Sequence, residues 1–296
     1  RGDLHAVDED IAHAGGILMR LIDRRTTNPV NIGDIVEVDT EDGDSVIHEV
    51  LPRKNYIIRQ ASRHRTAEHI LAANLDQVLV MASIAMPRTS TGFIDRFLVT
   101  AGAYHIPAVV LFNKIDMYDE EEMEQVKSLE TTYRNAGYEA VLTSAENDTG
   151  VEEIRQLMQG KISLLSGHSG VGKSTLINKV VPSLDLKTSE INNYNQKGKH
   201  TTTYAEMFEL PFGGFIIDTP GIKEFGILDF EEAEVSHFFP EMEKLIHDCR
   251  FNNCLHINEP GCAVKEALET GEIAASRYQN YLSIINEIQT DEKIYD

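Results

Sequence analysis

The residues whose types and spacing most clearly indicate chemistry form a glycine-rich segment at positions 167–174, with the sequence G-H-S-G-V-G-K-S. Its spacing fits the phosphate-binding pattern G-x-x-x-x-G-K-[S/T], in which glycines let backbone N–H groups turn toward phosphate oxygens. Lys173 supplies a cation for the β- and γ-phosphates, and the hydroxyl of Ser174 is suited to Mg²⁺. An apolar run precedes the segment and a helical pattern follows it, a context that a chance match would lack.

A second segment, N-K-I-D at positions 113–116, has the residue types needed to read a guanine base. The carboxylate of Asp116 can accept hydrogen bonds from the N1–H and the 2-amino group of guanine, and adenine has no donor at either position. Alone, this tetrapeptide also suits a surface turn. At the end of a parallel strand, in a chain with a phosphate loop, it predicts guanine-nucleotide binding. Ser144 and Ala145 follow another apolar run and are expected to support the base through a main-chain N–H.

Further candidate ligands follow the phosphate loop along the chain. Asp218 begins the sequence D-T-P-G and is expected to hold Mg²⁺ through water, while the N–H of Gly221 senses the γ-phosphate. Thr201, the first of three consecutive threonines, offers another hydroxyl to Mg²⁺. Three threonines before a strand are equally compatible with ordinary β structure.

Hydrolysis of a nucleoside triphosphate also requires an oriented water molecule. Many GTPases carry glutamine directly after the D-x-x-G sequence, but this chain has Ile222, whose side chain cannot polarise water. His200 and His168 are the candidate catalytic groups that would position this water.

All three cysteines lie near one histidine, in the spacing Cys249-x4-Cys254-x-His256-x5-Cys262. Three thiolates and one imidazole form a closed tetrahedral set, which is typical of structural zinc and leaves no open coordination position for catalysis. Free cysteines are the alternative interpretation. The concentration of every cysteine of the chain in this segment favours zinc.

Composition restricts the classes of partner. The formal net charge of −21 argues against non-specific adhesion to nucleic acid or anionic membranes. Residues 53–65 nevertheless contain five lysines or arginines and no acid, which fits either a solvated strand and loop or a local RNA contact. No apolar run has membrane-spanning length, so we expect a cytoplasmic protein without a membrane partner.

The hydrophobic pattern predicts several domains. Short alternating apolar runs at 30–38 and 45–58 indicate β structure. Continuous apolar runs, which are typical of buried parallel strands, alternate with helical patterns and predict an α/β domain. The runs are 77–82, 107–112, 162–165 and 215–217, and the helical patterns are 93–103, 121–135 and 173–181. Beyond residue 229 the chain is predicted to be mainly helical, with a last helix at 272–288.

The nucleotide motifs occur in an unusual order, because the base-reading segment precedes the phosphate loop. This order corresponds to a circular permutation of the usual GTPase sheet. With G-H-S-G-V-G-K-S-T, G-K-H-T-T-T, D-T-P-G-I and the cysteine cluster, the chain resembles the bacterial ribosome small-subunit-dependent GTPase A family (RsgA, also called YjeQ). T-N-P-V at 27–30 with Gly33 and Asp34 also resembles the N-terminal domain of that family.

The resemblance implies three domains: an OB-fold-like RNA-binding domain at 1–65, a circularly permuted P-loop GTPase domain at 66–228 and a helical zinc-binding domain at 229–296. Residues 1–25 depart from the pattern of opening OB strands. The implied activity is GTP hydrolysis stimulated by the 30S subunit during late maturation. The implied cofactors and partners are Mg²⁺ with GTP or GDP, one structural zinc, and the 30S subunit with its 16S rRNA, bound by a monomer. The expected GTP-binding residues are Asn113, Lys114, Ile115, Asp116, Ser144, Ala145, Gly167, His168, Ser169, Gly170, Val171, Gly172, Lys173, Ser174, Thr175 and Gly221.

Three other functions are alternatives to this one. In a nucleotide-gated rRNA-binding module, the GTP state would mainly control binding and release. A permuted GTPase of the large subunit fits less well with the zinc cluster and the N-terminal β segment. A kinase or an adenine-specific NTPase is poorly supported, because adenine has no hydrogen-bond donor at the N1 and C2 positions that the Asp116 carboxylate would read.

Overall fold

The computed structural model of the protein describes residues 30–41, 44–59, 69–184, 206–218 and 231–292. Within these ranges the strands are β1 (Val36–Glu41), β2 (Asp44–Val50), β3 (Tyr56–Arg59), β4 (His69–Ala73), β5 (Gln77–Ala82), β6 (Ala108–Phe112), β7 (Glu139–Leu142), β8 (Ile162–Gly167), β9 (Glu206–Glu209) and β10 (Phe215–Asp218). The α-helices are α1 (Thr91–Ala103), α2 (Glu120–Asn135), α3 (Val151–Met158), α4 (Lys173–Val180), α5 (Pro240–Glu243), α6 (Ala263–Thr270) and α7 (Ala275–Glu292). Short 3₁₀ helices lie at Ile115–Met117, Pro182–Leu184, Glu232–Phe238 and Ile246–Asp248.

A six-stranded sheet with the order β7-β6-β5-β8-β10-β9 forms the centre of the molecule. Its strands are parallel except β9, which pairs antiparallel with β10. Every residue of β5 is buried, as expected for a central strand covered by helices on both faces. Two buried apolar clusters cover the two faces of this sheet, so the predicted α/β domain is present. Parallel pairing brings the carboxyl ends of five strands to one edge.

The first strands form two antiparallel hairpins, β1–β2 and β3–β4. The second hairpin pairs β3 with β4, which lie on opposite sides of the predicted boundary between the first domain (1–65) and the second (66–228). Two cations of the basic segment are engaged in ion pairs: Arg53 contacts Asp34 at 2.6 Å and Lys54 contacts Asp76 at 2.7 Å. These two side chains therefore have structural partners within the protein. Residues 1–29, including the region that departs from the OB pattern, lie outside the described ranges.

The C-terminal part packs around the cysteine cluster and α7, and its buried residues form one apolar cluster with Val99 of α1. The last helix begins at Ala275 rather than at the predicted residue 272. Gly271, with φ of 78°, ends α6 in the left-handed conformation and thereby separates the two helices. None of the helices in the described ranges has both the length and the apolarity needed to cross a membrane.

Candidate nucleotide site and metal centre

The sequence motifs that suggested nucleotide chemistry come together at the carboxyl edge of the central sheet. Asn113 follows β6, Thr143 follows β7, and the phosphate loop begins at the end of β8. Asp218 is the last residue of β10, the next strand in the sheet. Ligands of open α/β sheets bind at this edge, so the topology explains why motifs distant in sequence meet.

The phosphate loop has a conformation that depends on two glycines. Gly167 has φ of 147°, and a Cβ at this residue would lie 2.4 Å from the carbonyl oxygen of Met81. Gly172 has φ of 100°, and a Cβ there would lie 2.5 Å from Nδ2 of Asn113. Any larger residue at these positions would clash with the neighbouring strand or with the base-reading segment. The loop then enters α4, whose first residue is Lys173.

Lys173 turns back over this loop. Its Nζ donates to the carbonyl oxygens of Gly167 and His168, at 2.7 and 3.1 Å. Burial lowers the pKa of Lys173, although the nearby carboxylate of Asp218 acts in the opposite direction. The cation therefore lies in a partly desolvated position, where its attraction to a phosphate is stronger than in open solvent.

Asp218 and Ser174 have the properties that a Mg²⁺ ion requires. Burial raises the pKa of Asp218, and its Oδ1 has no hydrogen-bond partner among the described residues. A buried carboxylate oxygen without a partner is costly unless a cation or a water molecule satisfies it. Ser174 lies in the first turn of α4 beside Lys173. An oxygen donor set of this kind fits Mg²⁺, which prefers one or two carboxylates and hydroxyls together with water and phosphate.

The base-reading segment is anchored directly to the phosphate loop. Asn113 is buried, its Nδ2 donates to the carbonyl oxygen of Val171 at 2.9 Å, and its Oδ1 accepts from the hydroxyl of Thr143 at 3.0 Å. Lys114 adopts the left-handed conformation, with φ of 69°. Its Nζ donates to the carbonyl oxygen of Gly170 at 2.7 Å. These bonds link the two segments that would hold the base and the phosphates.

Asp116 is exposed at the end of this segment, and the hydroxyl of Ser144 donates to its Oδ1 at 2.5 Å. Ser144 is itself buried, and its Oγ accepts from the backbone N–H of Glu146 at 3.2 Å. Ala145 lies between these two residues and is buried. The carboxylate of Asp116 is thus oriented by the neighbouring loop through Ser144, and no hydrogen bond described in the structure engages its other oxygen.

The candidate water-positioning groups are only partly described. The ring of His168 packs against Phe93 of α1, with a centroid distance of 4.0 Å. Burial and the adjacent Lys173 lower the pKa of His168, so its imidazole is neutral at physiological pH. His200, Thr201, Gly221 and Ile222 lie outside the described residues.

The predicted zinc ligands form a buried cluster. The ligand atoms of Cys249, Cys254, His256 and Cys262 all lie within 4.8 Å of one another. Nδ1 of His256 is 3.6 Å from Sγ of Cys249 and 3.3 Å from Sγ of Cys262, while the Nε2 of the same ring has no partner in the described structure. Nδ1 is therefore the ring nitrogen that faces the thiols.

The surroundings of the cluster disfavour free thiolates. Burial and the neighbouring cysteines raise the pKa of Cys254 to about 12, a value at which the thiol stays protonated without a cation. Three thiols and an imidazole at these distances fit a tetrahedral metal ion, which would supply that positive charge. His256 is held in place through its backbone, because its carbonyl oxygen accepts from the hydroxyl of Tyr278 at 2.6 Å. Glu259 accepts from three backbone N–H groups of the same loop, those of Leu255, Ile257 and Asn258.

Comparison with known proteins agrees with this geometry. The profile of the RsgA GTPase family matches residues 50–228, which include both nucleotide motifs and the whole central sheet. The chain belongs to the RsgA GTPase family. A member of the family from Bacteroides fragilis, named small ribosomal subunit biogenesis GTPase RsgA, is 51% identical over 269 residues, which are 90% of this chain and 87% of that protein. The protein of the same name from Christiangramia forsetii is 52% identical over 265 residues, 88% of this chain and 84% of its own length.

Solved structures of RsgA relatives show the same fold. YjeQ from Thermotoga maritima has a TM-score of 0.74 and 39% identity, and the match covers 88% of this chain and 84% of that chain. YloQ, described as a circularly permuted GTPase, has a TM-score of 0.70 and 29% identity, with 88% and 80% of the two chains covered. The reversed motif order is thus a property of this fold, and the protein is a GTP-hydrolysing enzyme.

Proposed function

We propose that this GTPase acts in maturation of the small ribosomal subunit, where it binds the 30S particle and its 16S rRNA and hydrolyses GTP faster on that partner. The curated relatives are named for small-subunit biogenesis and match about nine-tenths of this chain. Within the protein, the observation that carries the proposal is the anchoring of the base-reading segment to the phosphate loop through Asn113 and Lys114. This arrangement suits a guanine nucleotide that contacts both segments at once.

In the proposed complex, Asp116 accepts from the guanine N1–H and 2-amino group, while Ser144 orients this carboxylate and Ala145 supports the base through its N–H. The backbone of residues 167–175 surrounds the phosphates, and Lys173 neutralises charge between the β- and γ-phosphates. Ser174 and Asp218 hold the Mg²⁺ ion that accompanies GTP. In this proposal the hydroxyl of Thr201 is a further ligand of the Mg²⁺ ion, and the backbone N–H of Gly221 contacts the γ-phosphate.

The proposed partner dependence follows from the water-positioning problem. Ile222 stands where many GTPases have the glutamine that orients water. The isolated chain is therefore expected to hydrolyse GTP slowly. His168 packs the face of its ring against Phe93, and burial lowers the pKa of its imidazole, so the neutral ring could orient water through a nitrogen. We propose that the bound 30S particle orders His200 or His168 toward the attacking water.

The C-terminal cluster is proposed to hold one zinc ion with a structural role. Four protein ligands leave no open coordination position, and the ion would neutralise the buried thiols of Cys249, Cys254 and Cys262. The chain is proposed to contain an OB-fold-like RNA-binding domain before the GTPase domain and a zinc-binding helical domain after it. We further propose that it works as a monomer in the cytoplasm.

A second candidate function is a nucleotide-gated rRNA-binding module. It is favoured by residues 53–65, which contain five cations and no acid, although Arg53 and Lys54 pair with Asp34 and Asp76 elsewhere in the protein. Sedimentation of the full chain with purified 30S or 50S subunits, with GDP or a non-hydrolysable GTP analogue, tests partner and gating together. The proposal predicts co-sedimentation with 30S, stronger with the GTP analogue, and none with 50S. Equal binding to both subunits would refute the proposed partner. Equal 30S affinity with both nucleotides would refute the gating alternative.

A further inference from the structure

Residues 83–93, which run from the end of β5 through the first turn of α1 and are called the support segment below, contact both nucleotide-binding segments although they belong to neither. The support segment closes on itself at its base. The backbone N–H of Thr89 donates to the carbonyl oxygen of Ser83 at 2.7 Å, and the hydroxyl of Thr89 accepts from the N–H of Ser83 at 3.2 Å. Both residues are buried, so these two bonds close the base of the segment at the edge of the sheet.

Its contact with the base-reading segment runs through the hydroxyl of Tyr118. This hydroxyl donates to the carbonyl oxygen of Asn113 at 2.7 Å and accepts from the backbone N–H of Ile84 at 3.0 Å. It also lies 3.1 Å from Oγ of Ser83. Burial raises the pKa of Tyr118, so the group remains a donor over the physiological pH range. One hydroxyl thus joins the end of β5 to the first residue of the base-reading segment.

Its contacts with the phosphate loop involve two other points. The Nζ of Lys114 donates to the carbonyl oxygen of Met86 at 2.6 Å and to that of Gly170 at 2.7 Å, so a single cation joins the support segment to the phosphate loop. The ring of Phe93 packs on that of His168, at a centroid distance of 4.0 Å. The backbone N–H of Phe93 is fixed by the side chain of Ser90, the N-cap of α1, at 3.2 Å.

We propose that the support segment sets the separation between the base-reading segment and the phosphate loop, with Tyr118 as the positioning residue on the base side. A guanine nucleotide would contact both segments, so its affinity depends on that separation being fixed before binding. Tyr118 touches neither nucleotide nor metal in this assignment and acts through Asn113. The inference rests on the proposed role of Asp116 as base reader.

Tyr118→Phe tests the base side, because it removes the hydroxyl and keeps the ring. We expect the Kd for GDP to rise about tenfold, which corresponds to losing the organisation provided by roughly one or two hydrogen bonds. The preference for GDP over IDP, which lacks the 2-amino group, should fall. The kcat at saturating GTP should stay within about twofold, because Lys173 and the Mg²⁺ ligands are untouched. Tyr138→Phe is the control outside both nucleotide-binding segments: its hydroxyl contacts the carbonyl oxygen of Phe238 at 3.4 Å and the guanidinium of Arg277, and GDP affinity should not change.

Phe93→Leu tests the phosphate side and keeps the inference testable should Tyr118→Phe unfold. This variant should weaken GDP and IDP equally, because it weakens the contact with His168 of the phosphate loop and leaves the base-reading segment unchanged. Thermal unfolding of each variant separates stability from affinity. A folded Tyr118→Phe protein with unchanged GDP affinity and unchanged GDP-over-IDP preference would overturn the inference.

Asp116→Asn, measured in parallel, separates this result from the base-reader assignment. If Asp116→Asn also leaves GDP affinity unchanged, the assignment itself is wrong. If Asp116→Asn weakens GDP and Tyr118→Phe does not, the assignment stands and the positioning role is refuted.

Discussion

Arg277 of α7 donates from Nη1 to Oδ1 of Asp95 in α1 at 2.5 Å, and both side chains are almost fully buried between the GTPase core and the C-terminal helices. The same guanidinium donates to both carboxylate oxygens of Glu241, at 2.7 and 3.1 Å. Although burial alone would lower the pKa of Arg277, the two carboxylates raise it, so the cation persists at all relevant pH values. Because α1 also carries Phe93, this network connects the C-terminal part of the protein to the phosphate loop.

Replacing Arg277 with methionine should strongly destabilise the protein, because it leaves the carboxylates of Asp95 and Glu241 buried without their cation. We expect a loss of about 3–5 kcal/mol in the free energy of unfolding, measured with urea. Arg96→Met is the matched control, since Arg96 joins the same two helices by pairing with Glu287 at 2.6 Å in a more exposed position. That variant should lose roughly 0–1 kcal/mol. Losses of similar size in the two variants would contradict the structural importance assigned to Arg277.

Exchanging Asp116 for asparagine should change the base preference of the enzyme. The amide cannot accept from both donors of guanine, whereas it can pair with the 2-oxo group and N1–H of xanthine. We expect GTP affinity to fall by about 100-fold, since hydrogen bonds to charged groups contribute roughly 1.5–3 kcal/mol each. XTP should become the better substrate. Glu146→Gln, an exposed acid-to-amide change two residues after Ser144, should leave GTP affinity as it is. Unchanged GTP affinity in Asp116→Asn would exclude this residue as the base reader.

Removal of the proposed zinc should unfold the C-terminal part of the chain. Elemental analysis of the purified protein is expected to give one zinc per chain. Cys262→Ser should lose the ion and lower the melting temperature, because metal binding and local folding are one equilibrium in sites of this kind. His247→Ala is the control, since this histidine is exposed and lies outside the cluster. A Cys262→Ser protein that retains stoichiometric zinc and its melting temperature would show that the four residues are not the ligands.

Asp218→Asn should raise the thermal stability of the nucleotide-free protein and abolish its activity. Burial raises the pKa of Asp218, so the folded protein disfavours the charged form relative to the unfolded chain. A carboxylate of this kind destabilises the nucleotide-free fold at neutral pH, and the penalty vanishes as the pH falls to the ordinary range of an aspartate. The variant should therefore melt higher than the wild type at pH 7, with a smaller difference near pH 4, and should lose Mg²⁺-dependent turnover. Glu209→Gln, an exposed change on β9, should alter neither property. A lower melting temperature for Asp218→Asn at pH 7 would contradict the proposed penalty.

The central sheet and the approximate positions of its main helices could be predicted because buried parallel strands are continuous apolar runs with polar motifs at their carboxyl ends. The cysteine spacing likewise indicated a cluster whose atoms the structure places together. Helix α3 is absent from the sequence prediction, although its apolar residues Val151, Ile154, Leu157 and Met158 recur at helical spacing. The buried position of Arg277 was not predictable either, since arginine is mostly exposed and its partner Asp95 is remote in sequence.

The proposed role of Tyr118 was also not predictable from the sequence, for a different reason. Two of its three hydrogen-bond contacts are with backbone groups, those of Asn113 and Ile84, and backbone groups carry no residue signature. A single tyrosine after the base-reading segment resembles any other half-buried aromatic residue. The contact was visible only after the loops had been placed in space.

The most direct test of the account is GTP turnover by the purified full chain, measured alone and with purified 30S or 50S subunits at equal concentration. We predict slow turnover by the chain alone, strong stimulation by 30S and none by 50S. The Asp116→Asn variant, assayed at the same GTP concentration, should show no stimulation of turnover by 30S. Turnover by the isolated chain as fast as that with 30S, or equal stimulation by 50S, would contradict the account.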